Sequence, residues 1–84
     1  MIKIITKGYK NHLRKTLMEL SYKANLVLRK STNVTEKEYA SIIGKTANEF
    51  YNNINNYSLA DIYGMFVTSK EHSDNLDSIL AKTS

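Results

Sequence analysis

Between Tyr9 and Leu28 the apolar residues fall three or four positions apart: Tyr9, Leu13, Leu17, Leu20, Ala24, Val27 and Leu28. At about 100° per residue they occupy an arc roughly 100° wide, the width of a core-facing stripe on an α-helix. A helix with such a stripe must bury it, so the remainder of the chain has to supply the covering elements. We therefore expect a first helix from Tyr9 to about Lys30.

Two capping signals mark where the next helices begin. Thr35 precedes Glu38 by three residues, with Val34 and Tyr39 at the flanking apolar positions, which is the pattern of a capping box with its hydrophobic staple. It predicts a second helix over about 35–55 with a stripe of Tyr39, Ile42, Ile43, Thr46, Phe50, Ile54 and Tyr57. Beside that stripe lie Ala40, Gly44 and Ala47, small residues that let a neighbouring helix come close. Ser58 and Asp61, with Tyr57 and Ile62 as staple, repeat the box and predict a third helix over about 58–69 through Leu59, Ile62, Tyr63, Phe66 and Val67. A break near "SKEHSD" then leads to a short last helix, 73–82, capped by Ser73 and presenting Leu76, Ile79 and Leu80.

The expected fold is all-α, a single domain over residues 1–84 with three to four helices. The alternative is α+β. "MIKIIT" is rich in β-branched residues, and residues 1–7 could pair with 64–69 as a two-stranded ribbon, although an isolated pair of strands is marginal unless covered.

With 84 residues the chain buries only about 60–65% of the surface its unfolded form exposes. It has no cysteine, so neither a disulfide nor a thiolate metal site can reinforce it. No apolar run approaches the roughly 20 residues of a membrane span, and the start of the chain lacks the pattern of a secretory signal. We expect a cytoplasmic protein without a membrane partner.

Catalytic chemistry finds little support. The three glycines, Gly8, Gly44 and Gly64, are isolated, so no phosphate-binding loop is present. No serine sits in a nucleophile elbow or beside a His–acid pair. His72 and Asp74, with Asp77 nearby, fall short of the three or four ligands zinc needs. The expectation is a non-enzymatic protein without cofactor or metal.

The charge distribution points elsewhere. Residues 1–30 hold eight Lys/Arg and one acid, Glu19, whereas residues 31–84 hold four Lys and seven Asp/Glu. The net charge of +4 therefore belongs to the first third, and asymmetry of this kind points to an anionic partner. Opposite the apolar stripe of the first helix fall Lys7, Asn11, Arg14, Lys15, Asn25 and Arg29, with His12, Lys23 and Lys30 on the flank and Lys10 nearby. Met18, Tyr22 and Leu26 also face outward. Three readings account for this face: a contact surface for phosphates with Tyr22 stacking on a base or packing on a sugar, an interface through Met18, Tyr22 and Leu26 in a homodimer, or plain solvated surface. Tyr39, Tyr57 and Tyr63 lie on apolar stripes and are expected in the core.

Lys, Asn, Ile and Tyr supply 33 of the 84 residues, and their codons are AT-rich. In size and composition the chain resembles small accessory proteins of AT-rich phages. That likeness implies a protein of the host cytoplasm that binds and inhibits nucleic-acid machinery, and it assigns no residue roles. It is the basic face of the first helix that points to a regulatory or inhibitory protein docking on nucleic acid (RNA or DNA) or on an acidic surface of a nucleic-acid-handling protein. The residues placed at that dock are Lys7, Lys10, Arg14, Lys15, Tyr22, Lys23, Arg29 and Lys30. The alternative is a protein–protein module, a homodimer through Met18, Tyr22 and Leu26, with the basic run as solvated surface.

Overall fold

A computed structural model describes the backbone from Ile2 to Thr83 and the side chains of residues 8–82. The elements are α1 (Ile2–Lys30), α2 (Val34–Asn52), a single 3-10 turn (Ile54–Asn56) and α3 (Leu59–Thr83). The fold is all-α. Residues 2–7 continue α1 and residues 64–69 lie inside α3, so the alternative ribbon does not form. Once helix has nucleated, each added residue gains a hydrogen bond, and "IKIIT" is followed without a proline by a strong helical segment. An isolated strand pair has no such support.

The first helix is the centre of the molecule. Its buried positions, Leu13, Leu17, Leu20, Ala24 and Val27, are spaced alternately four and three apart, the repeat of a coiled-coil seam. Both α2 and α3 pack along it, while they scarcely meet each other. The molecule is 47 × 19 × 15 Å. Its length is that of α1, about 43 Å at 1.5 Å per residue.

Side-chain size decides how each neighbour approaches. Ala40 and Ala47 are fully buried, and a methyl group built on Gly44 would lie 3.5 Å from the Ala24 Cβ. The small seam of α2 therefore faces α1, which turns the helix about 70° from the orientation read from its large residues. Ile42, expected in the core, consequently points outward at 63% exposure. Tyr39, Phe50 and Met65 pack against the core from its edge, partly buried. The link between α2 and α3 is polar: the Asn75 amide donates to the Tyr39 hydroxyl (3.0 Å), which lies 2.9 Å from His72 Nδ1.

The start of α2 lies two residues earlier than expected. Asn33, not Thr35, is the cap; its side chain accepts from the Glu36 N–H (3.1 Å). Glu36 occupies the box position, but its carboxylate accepts from the Ser31 hydroxyl (2.7 Å), whose oxygen accepts the Asn33 N–H (3.1 Å). The reciprocal bond of the box is relayed through a buried serine. Asn-x-x-Glu has the same spacing as Thr-x-x-Glu, asparagine caps at least as well, and the earlier start lengthens the helix. The box at Ser58 and Asp61 forms as expected, with both reciprocal bonds at 3.2 Å.

No break occurs at "SKEHSD": α3 runs unbroken through it. Ser69 is buried, His72 and Ser73 are half-buried, and Leu76 is buried, so polar residues carry the inner stripe from Ile62 to Ile79. Ser73 is consequently not a cap. Leu59, Tyr63 and Val67, expected inside, are 46%, 72% and 47% exposed because the inner face follows Ile62, Ser69 and Leu76 at seven-residue spacing.

Two outcomes test this packing by denaturant unfolding. Asn33→Ala should lower stability by about 0.5–2 kcal/mol, while Thr35→Ala, at an exposed position, should change it by no more than about 0.5 kcal/mol. Gly44→Ala should raise it by about 0.5–1 kcal/mol, since the helix gains propensity and the added methyl meets Ala24 at an ordinary contact distance. A loss at Gly44→Ala would mean that α2 lies closer to α1 than described.

Candidate nucleic-acid interface

Because α2 and α3 cover α1 on one side only, the opposite side of α1 remains open. Lys15 and Arg29 are exposed there, with Met18 at 60% and Tyr22 at 61% exposure, and Lys30 is exposed on the flank at the helical angle of His12. None of these three cations forms an ion pair among the described residues.

The other predicted site residues divide. Lys10 and Arg14 are half-buried, and Arg14 meets the 3-10 turn. The Arg14 guanidinium donates to Asn11 Oδ1 at 2.6 Å and to Asn55 Oδ1 at 3.2 Å. Both acceptors are neutral amides, so the group is held in place with its charge uncompensated, and N–H donors remain for another ligand. Lys23 turns the other way, into the seam with α3. Its ammonium lies 3.0 Å from the Asp77 carboxylate and donates to Ser73 Oγ at 2.7 Å. That pair removes Lys23 from the open face. Leu26 is half-buried, so the outward apolar set narrows to Met18 and Tyr22. The side chain of Lys7 lies outside the described residues. His12, exposed, stacks at 5.1 Å from the Phe66 ring on the α3 side.

Sequence reasoning missed what α2 contributes. A cleft of about 350 Å³ opens between α1 and α2, floored by Leu17 and Ala47, with Met18 and Tyr22 on one wall and Asn48 and Tyr51 on the other. It adjoins a second depression that shares Ser21 and Asn48 and includes Asn25 and Lys45. No acidic residue lines either. The signal was the Ala47 position: a small buried residue one place before Asn48 and four before Tyr51 puts the latter two at the edge of the α1 contact. Asn55 escaped notice because an asparagine-rich segment reads as a turn.

Comparison with protein-family models, curated proteins and solved structures found no match. Among the described residues no group of three or more His, Cys, Asp or Glu is placed to hold a metal ion, and no helix is long and apolar enough to cross a membrane.

Proposed function

We propose that this chain is a non-enzymatic binding protein that docks on nucleic acid through the open side of α1 and acts by occupying its target. The observation that carries this reading is the separation of charge. Lys15 and Arg29 stand unpaired on the face of the exposed Met18 and Tyr22, Lys30 is unpaired on the flank, Arg14 is fixed nearby by neutral partners, and Glu19 is the one acid among them. Phosphates are the groups that such a row of cations attracts irrespective of sequence. From Arg14 to Arg29 the row extends along about 22 Å of helix, the axial length of six or seven phosphates on one strand of a duplex.

The same charges disfavour a second copy as the occupant. Lys15 and Arg29 lie seven residues either side of Tyr22. An antiparallel pairing centred on Tyr22 would set Lys15 against Arg29 of the other copy, twice, and a parallel pairing would set each against itself. Like charges across an interface cost several kcal/mol. The protein should therefore scatter light as a monomer near 9.6 kDa at low salt; a dimer under those conditions would return the Met18–Tyr22 face to self-association.

The direct test is the salt dependence of oligonucleotide binding, followed by fluorescence anisotropy. Four to five phosphate contacts give a slope of log affinity against log salt of about −3 to −4.5. Lys15→Ala and Arg29→Ala should each reduce the slope by about one unit for every sequence. Lys23→Ala should leave the slope unchanged and cost at most about 1 kcal/mol of stability, the worth of a partly exposed ion pair. Absence of binding to RNA and DNA at about 50 mM salt would overturn the reading.

A further inference from the structure

The cleft between α1 and α2 has the features of a site for a planar, polar-edged ring. Its floor is apolar and buried, Leu17 and Ala47 each at 1% exposure. Its walls carry two tyrosines from different helices, Tyr22 at 61% and Tyr51 at 39% exposure, and no contact between their rings is found among the described residues. Asn48 stands beside Tyr51 with an exposed side chain whose amide bonds to no described protein group. Such an amide offers donor and acceptor together, the pairing that a base edge demands. Charge favours an anionic occupant: the lining itself contains no acid, Arg14 and Lys15 lie one turn from Met18 on α1, and Glu19 is the one acid beside them.

We propose that this cleft takes an unpaired nucleobase, stacked on the tyrosine walls with Asn48 at its edge, while its flanking phosphates meet Arg14 and Lys15. The inference rests on the nucleic-acid reading above and sharpens it to single strands. A base within a duplex already has both faces stacked and its pairing edge occupied, so it cannot enter the cleft without being flipped out. A single strand splays its bases onto aromatic side chains at little cost.

Three ligands of equal length, offered to the protein and to its variants, separate the possibilities: a single strand, the same strand without bases, and its duplex. The abasic strand keeps every phosphate. The base-bearing strand should bind roughly 5- to 150-fold more tightly than the abasic one, the range for one stacked base. Tyr22→Ala should remove most of that gap while leaving abasic binding and the salt slope unchanged, and Tyr22→Phe should keep it. Asn48→Ala should shift the preference among bases without altering abasic binding. Tyr22 is exposed enough for truncation to spare the core, and far-UV circular dichroism checks that it does. Equal binding of base-bearing, abasic and duplex ligands with a steep salt slope would overturn this inference and leave the phosphate-docking reading intact. Binding of none would overturn both.

Discussion

The structure depends on the burial of one stripe of α1 by two helices that scarcely touch each other. Leu13, Leu17, Leu20, Ala24 and Val27 are at most 3% exposed, and each large apolar side chain so buried is worth about 1.5–3 kcal/mol relative to exposure. Among the described residues no further element wraps round the other side of α1. The open face of α1 is therefore a consequence of the core's economy: the geometry that satisfies the stripe leaves Lys15, Met18, Tyr22 and Arg29 outside. Function, on this account, uses the surface that folding could not cover.

Close approach of α2 to α1 shapes the cleft. Alanine at 40 and 47 and glycine at 44 let its backbone sit against Ala24, and that approach brings Asn48 and Tyr51 beside Tyr22. Residues larger than alanine at the seam would push α2 outward and widen the cleft. The same helix turns its Tyr39 towards α3, where His72 and Asn75 meet the hydroxyl. The cleft is thus built on two rigid helices whose separation is set by methyl-sized contacts, with no loop forming its walls.

Much of this was legible in the residues. The α1 stripe, the close-packing role of the small α2 residues and the box at Ser58 and Asp61 all follow from spacing, because spacing on a helix is geometry. What failed was the ranking of stripes by hydrophobicity. Ile42 looked more like core than Ala40, yet a short helix on a crowded neighbour gains more from a close backbone than from a branched side chain held at a distance. In α3, Ser69, His72 and Ser73 interrupted the apolar pattern and suggested a break, whereas without proline or glycine nothing stops the helix there. The Asn33 cap was concealed by a second cap-like pair two residues later. At the candidate site, periodicity identified the outward cations but could not distinguish Lys23, which a partner 54 residues away turns inward, from Lys15, which has none. Nor could it show that Asn55, from the turn, would hold Arg14.

The central claim is that the uncovered side of α1 and the adjoining edge of α2 form one binding surface. Backbone amide chemical shifts, followed by NMR as a single-stranded oligonucleotide is added, test it most directly. The account predicts changes concentrated over residues 14–30 and 44–52, with the outer face of α3 around Leu59, Tyr63 and Val67 unaffected. Changes confined to that α3 face would contradict it.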